Sequence, residues 1–383
     1  MSTTAAARPV IPPERFAQRL ERAAEVAAAA GLDALFIGVG SDLRYLAGYA
    51  AMPLERLTVL VVRPGHDPVL VVPRLERGAA EAGVRTPLEI ATWDETDDPY
   101  ALAASGAEAP RRVALSDTML AMHVLRLQAT LGRDVEYSLA SAVLRDLRMV
   151  KDADEIALLR LAARAADRVV GQIATGRLVG RTEADVAREV RERLIAEGHD
   201  DAHFAIVGSG PNSASPHHEA SDRVIGAGEP IVLDIGGTVG GYGSDITRTL
   251  WVTGGDPAAG PDERFRHLFA VLHGAQEAAT RAVRPGIACA AIDTAARAPI
   301  EAEGYGEAFF HRTGHGIGLD GHEDPYIIGG NDLPLGAGMA FSVEPGIYLP
   351  GVYGARIEDI VVCGEDGPIV LNDAPRALYV VEG

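Results

Sequence analysis

Apolar and polar positions along the 383-residue chain follow two periodicities in turn. Between Arg15 and Ala30, the residues Phe16, Leu20, Ala23, Ala24 and Ala27 recur at helical spacing and Gly31 ends the run, which predicts an amphipathic helix. Three short apolar runs follow: Ala34–Val39, Leu57–Val62 and Val69–Val72. Gly and Pro punctuate them, as in strands of a sheet covered by helices. A charge-rich stretch, Arg148–Glu155, then precedes a long helical pattern through Ile156, Leu159, Ala163 and Ala166. Helices are expected to about His199. Beyond it, Gly-rich segments alternate with β-type runs such as Ile231–Ile235 and Ile246–Val252. The pattern predicts an α+β chain in two domains, an α/β domain over residues 1–147 and a second domain over 148–383.

Composition narrows the class. A formal charge of −19 repels phosphate backbones and anionic lipid, so neither nucleic acid nor a membrane surface is an expected partner. The apolar runs are strand-sized, far below the ~18 residues of a spanning helix. Two cysteines, Cys289 and Cys363, build no disulfide framework, and Met1–Pro13 shows no basic stretch followed by an apolar segment. The expected compartment is the cytoplasm.

The chemistry concentrates in three segments. In Ile231–Val252 the order strand, glycine turn, strand predicts a hairpin centred near Val239 and Gly240, which would set Asp234 and Asp245 opposite each other on one face. In Ser342–Val362, Glu344 and Glu358 lie symmetrically about Gly351, so a second Gly-containing turn would pair two more acids. Between them, His311, His315 and His322 stand in a Gly-rich context that displays side chains. Like charges brought together this way need a cation between them. Four carboxylates and one imidazole form an oxygen-rich set suited to a bridged pair of Mn, Co, Fe or Zn ions, since a structural zinc prefers Cys and His. The reaction class implied is metal-assisted hydrolysis. A phosphate-binding reading of Gly236–Gly243 fails for want of a following helix and lysine, and no GxSxG elbow supports a serine hydrolase.

At these residues the chain resembles the pita-bread metallopeptidase superfamily, which includes methionine aminopeptidase, aminopeptidase P and Xaa-Pro dipeptidase (prolidase). Arg19–Tyr49 is similar to the start of the creatinase-type N-terminal domain of the proline-directed branch, and Leu147–Arg160 to the junction into the catalytic domain. The resemblance therefore implies a creatinase-like N-terminal domain followed by a pita-bread catalytic domain. It implies two divalent metal ions, manganese foremost with Co, Fe or Zn as alternatives. Asp234 would chelate one, His315 and Glu344 would hold the other, and Asp245 and Glu358 would bridge. Glu344 would also serve as general base and proton carrier.

Three further catalytic residues are carried by the same resemblance: His217 near the leaving-group side, His322 at the scissile carbonyl or the transition state, and Arg356 supporting the bridging glutamate and its neighbours by charge-assisted hydrogen bonds. His218, beside His217, is the alternative imidazole. Gly321 departs from the larger aliphatic residue often found before the histidine, which bears on pocket shape. Asp359, next to Glu358, is expected to tolerate substitution far better than the bridging acids. The implied activity is hydrolysis of the peptide bond before proline, as an Xaa-Pro dipeptidase or as an aminopeptidase P on longer peptides; a hydrolase or lyase of another small molecule is the third reading. Candidate contacts for a free substrate carboxylate are His217, Arg356 and a partner-subunit loop. The resemblance also implies a homodimer.

Overall fold

The computed structural model describes residues 8–106 and 110–383, so the first seven residues of the stretch read for a leader lie outside it. Two compact units result: Ile11–Arg148, and Met149–Gly383 together with residues 8–10.

In the first unit, helix α1 (Pro13–Ala29) buries the stripe Phe16, Leu20, Ala23 and Ala27. Six strands form one sheet: β1 (Ala34–Gly38), β2 (Val59–Val62), β3 (Val69–Pro73), β4 (Glu89–Trp93), β5 (Arg112–Leu115) and β6 (Glu136–Leu139), in the order β4-β3-β2-β1-β5-β6. Only β1–β2 and β2–β3 run antiparallel. Helices α2 (Ser41–Ala47), α3 (Arg77–Gly83), α4 (Pro99–Ala104), α5 (Ala121–Leu131) and α6 (Ser141–Met149) fill the connections. The three runs predicted as strands are strands, while the polar-rich β4 and β6 carried too little alternation to be read.

The second unit repeats one scheme twice, a helix pair against a largely antiparallel sheet. Helix α7 (Ala153–Ala174) starts at a capping box in which Asp152 accepts from the Asp154 and Glu155 amides and Glu155 accepts from that of Asp152. The charge-rich stretch of the sequence is thus a helix start. Helix α7 and α8 (Glu183–Ala196) pack on β7 (Asp201–Ser209), β8 (Glu229–Val239) and β10 (Ile246–Val252) around Val169, Val190, Leu233 and Leu250. A short β9 (Tyr242–Gly243) pairs with β8, and β18 (Tyr379–Val381) borders β10 in parallel. Helices α9 (Glu263–Ala282) and α10 (Cys289–Ala302) pack around Phe265, Leu272, Phe341 and Val361, the last two from the second sheet. That sheet orders β12-β11-β13-β16-β17, from β11 (Gly314–Gly316), β12 (Glu323–Ile327), β13 (Ala340–Val343), β16 (Asp359–Cys363) and β17 (Pro368–Val370). A ribbon of β14 (Gly346–Leu349) and β15 (Tyr353–Arg356) extends it. Among the described residues no helix is long and apolar enough to cross a membrane.

Candidate metal centre

The first acidic hairpin turns one position later than its sequence suggested. Val239 pairs with Tyr242 across Gly240–Gly241, whose φ angles of +63° and +89° suit glycine at both turn positions. Asp234 therefore pairs with Thr247, while Asp245 lies two residues further along the opposite strand, on the same face as Thr247. The acids meet diagonally instead of directly. The second hairpin has the expected symmetry: Gly346 pairs with Arg356 and Leu349 with Tyr353, and the same register resumes where Val343 pairs with Asp359. Glu344 and Glu358 face each other in the gap between the two ladders.

A backbone bridge joins the hairpins, because Thr247 also pairs with Glu358, whose amide donates to the Thr247 carbonyl at 3.1 Å. Asp234, Thr247, Glu358 and Glu344 consequently form one row across neighbouring strands. His315 arrives from β11, where its amide donates to Ser342 Oγ at 3.0 Å. Strand β11 lies so close to its neighbours that a Cβ on Gly314 would stand 1.9 Å from the Ser342 carbonyl oxygen, and one on Gly316 would stand 2.1 Å from that of Asp324. The glycines around His315 are needed for this approach, not for display.

Three overlapping groups result, each offering ligand atoms within 4.8 Å of one another: Asp234, Asp245 and Glu358; His315, Glu344 and Glu358; and Asp245, His315 and His322. His315 Nδ1 lies 3.1 Å from the Gly316 carbonyl oxygen, which only accepts, so the proton sits on Nδ1. The Nε2 lone pair is then directed to Glu344 Oε1 at 3.3 Å and Asp245 Oδ2 at 3.7 Å. Burial, then the charges of Glu358, Asp234 and Glu344, push the Asp245 carboxyl well up, and burial and the neighbouring acids do the same to Glu358. Glu344 is pushed up to about 7, chiefly by burial. His315 is held neutral at about 3, by burial and then by His322. Asp234 Oδ1 is buried without a hydrogen-bond partner. A bare acceptor, a neutral imidazole with its lone pair inward and four carboxylates facing one guanidinium fit a pair of hard or borderline dications.

That guanidinium belongs to Arg356, 2% exposed. It pairs with Asp234 and donates to Thr247 Oγ1 at 3.0 Å, to the Pro216 carbonyl at 3.2 Å and to the Tyr348 hydroxyl at 3.0 Å. Its hydrogen bonds reach Glu358 through Thr247, whose hydroxyl donates to Glu358 Oε2 at 2.7 Å. Four of the five Arg356 N–H groups are taken by protein acceptors and the side chain is buried, so a substrate carboxylate has little access to it. Thr247 and Tyr348 went unread in the sequence, although the hairpin register alone would have placed Thr247 opposite Asp234. The Tyr348 hydroxyl in turn meets Nε2 of His311 at 3.1 Å.

The two remaining candidate histidines are exposed. The His322 ring lies against His315 at a tilt of 47°, with centroids 3.9 Å apart, and its Nδ1 accepts from Arg312 at 3.0 Å. His217 has no hydrogen bond or ion pair among the described residues, whereas His218 is tied to Glu183 at 2.7 Å. Of the pair, His217 is the one left free. Asp359 departs most from expectation. It is wholly buried, pairs with Arg248 at 2.7 Å and with Arg376, and accepts from Gln276 at 3.1 Å. Arg248 also donates to the Glu358 carbonyl at 2.6 Å, so this ion pair underpins the backbone at Glu358.

Comparison with known proteins agrees with this construction. Residues 157–365 match the metallopeptidase family M24, and residues 19–150 match the creatinase/prolidase N-terminal domain. A probable dipeptidase PepE of Mycobacterium tuberculosis is 48% identical over 96% of this chain and 97% of its own. The crystal structure of dipeptidase PepE from Mycobacterium ulcerans superposes with a TM-score of 0.89 at 47% identity, covering 97% of this chain and 99% of that one. A recombinant prolidase from Thermococcus sibiricus gives 0.89 at 34% identity, over 95% and 98% of the two chains.

Proposed function

The chain belongs to metallopeptidase family M24, with a creatinase-type N-terminal domain and a pita-bread catalytic domain, and on that premise we propose that it is an Xaa-Pro dipeptidase. The observation that carries the reading is the row Asp234–Thr247–Glu358–Glu344 with Asp245 and His315 against it. We assign Asp234, Asp245 and Glu358 to one divalent cation and His315, Glu344 and Glu358 to the other, with Asp245 reaching toward both and manganese the expected metal. Bound there, the two cations would polarise the scissile carbonyl and supply a water of lowered pKa.

The protein's own groups do the rest. Glu344, steadied by Ser342 Oγ at 3.1 Å, takes the proton of the attacking water and returns it to the departing proline nitrogen, which has no N–H of its own in the peptide. His322 accepts from Arg312 at Nδ1, so its Nε2–H is free to donate to the carbonyl oxygen as charge develops on it. His217 stands on the leaving-group side.

Arg312 favours a dipeptide. Its guanidinium lies 4.6 Å from the Tyr326 ring centroid, partly exposed, and has no carboxylate partner among the described residues. A free C-terminal carboxylate is the ligand that guanidinium geometry fits. From the resemblance we carry over a homodimer, and from two buried free thiols a reducing cytoplasm. The test is hydrolysis of Ala-Pro and of Ala-Pro-Ala by manganese-loaded protein, each with a chelator control. Cleavage of Ala-Pro alone is expected; cleavage of the tripeptide would make it an aminopeptidase P, and cleavage of neither would overturn the peptidase reading.

A further inference from the structure

Glu183, the first residue of α8, has no role in the chemistry above, yet its side chain is wholly buried. Its carboxylate collects the segment between β7 and β8. Ser209 donates from its amide at 2.8 Å and its hydroxyl at 2.7 Å. Asn212 Nδ2 donates at 3.1 Å, His218 Nε2 at 2.7 Å, and Ser221 from its hydroxyl at 2.6 Å and amide at 3.2 Å. Burial alone would push this carboxyl up, but the bonds from Ser221, Ser209 and His218 outweigh it and hold it at about 2. The anion is thus solvated by donors of one chain segment, 209–221. Such an arrangement specifies a conformation more than it adds stability, since a well-packed apolar side chain would stabilise the site at least as well.

The conformation specified is that of the stretch carrying His217. Its Pro216 carbonyl accepts from Arg356, and Ser213 Oγ accepts from the Gly354 amide at 2.8 Å, two residues before Arg356. With His218 drawn inward to Glu183, His217 remains free beside Pro216, whose carbonyl accepts from the buried Arg356 at 3.2 Å.

We infer that Glu183 and His218 are positioning residues for the reaction, a clamp that sets where His217 is presented to the substrate. The inference rests on the proposed peptidase reading only for the role of His217; the clamp itself is measured without substrate.

The test uses the full-length, manganese-loaded protein. His218→Leu removes the donor, and His218→Gln keeps an N–H that reaches the carboxylate. His218→Leu is expected to lower kcat/KM for Ala-Pro by about tenfold, as displacement of a positioned group does. Manganese stoichiometry should stay at the wild-type value, and His218→Gln should recover most of the loss. In a His217→Ala background, His218→Leu should have little further effect, because it acts through His217. Amide exchange should accelerate within 209–221 in His218→Leu and in Glu183→Gln. If Glu183→Gln does not fold, the His218 series stands alone. Full multiplication of the two histidine effects would overturn the inference, as would unaltered exchange in 209–221. If wild-type protein cleaves no Xaa-Pro peptide, the functional reading has failed, and the exchange result still decides whether the clamp exists.

Discussion

Replacing Asp245 or Glu358 by alanine removes an oxygen that the two proposed cation positions share or approach, so both variants should lose hydrolysis together with manganese uptake by calorimetry. Intact activity in either would sink the two-metal assignment. Asp359→Ala should behave differently from both, and from what its position in the sequence suggests. It strands the buried Arg248 guanidinium, a loss of about 3–5 kcal/mol of stability for one partner of a buried pair. Urea denaturation should therefore report a large drop in midpoint. Arg312→Ala should cost on the order of 10–100-fold in kcat/KM on Ala-Pro, from about 1.5–3 kcal/mol for hydrogen bonds to a charged group. On Ala-Pro amide the loss should be smaller, limited to the hydrogen bond that Arg312 gives His322; equal losses on both would show that Arg312 does not read the carboxylate. At this scale the candidate metal ligands that the structure brings together were legible because so many acids and imidazoles in Gly-rich hairpins are unusual. The burial of Asp359 and Arg356 was not, since whether a charged residue on a strand is buried depends on which helix or tail covers it.

Between elements, legibility followed turn chemistry. Glu344 and Glu358 flank a loop with a single glycine at its centre, so symmetry about Gly351 was enough to place them, and Gly351 has a φ of +75°. Around Val239 four of the six following or preceding turn positions lack a side chain, so a one-residue shift of the turn centre was not visible, and it converted an opposed pair into a diagonal one. The link between the hairpins, Thr247 to Glu358, joins residues far apart in sequence and belongs to sheet packing that no local pattern encodes. The same packing makes β11 intolerant of added volume. Gly316→Ala would drive a Cβ into the Asp324 carbonyl, so the strand must move and His315 with it. Weakened manganese binding at preserved helix content is the expected result, read by calorimetry beside circular dichroism; unchanged affinity would mean that β11 does not fix the imidazole.

For the whole molecule, the metal centre and the Glu183 clamp impose opposite pH dependences on stability. In metal-free protein Asp245, Glu344 and Glu358 have carboxyl groups raised above their unfolded values. A raised acid costs nothing below its unfolded value and progressively more as pH climbs to the folded one, because the unfolded chain ionises first. For Glu344, raised to about 7 from 4.5, that is about 3 kcal/mol lost by neutrality, at 1.36 kcal/mol per unit. Glu183 is depressed to about 2, so its contribution is complete above 4.5 and is lost as pH falls toward 2. Chelated protein should therefore be most stable in mildly acidic solution and lose melting temperature between about pH 5 and 8. Manganese should abolish the alkaline limb, by binding the ionised carboxylates, and leave the acid limb of Glu183 in place. A melting temperature of chelated protein that stays level or rises from pH 5 to 8 would contradict the crowding of four acids around one guanidinium, on which the assignment of the centre depends.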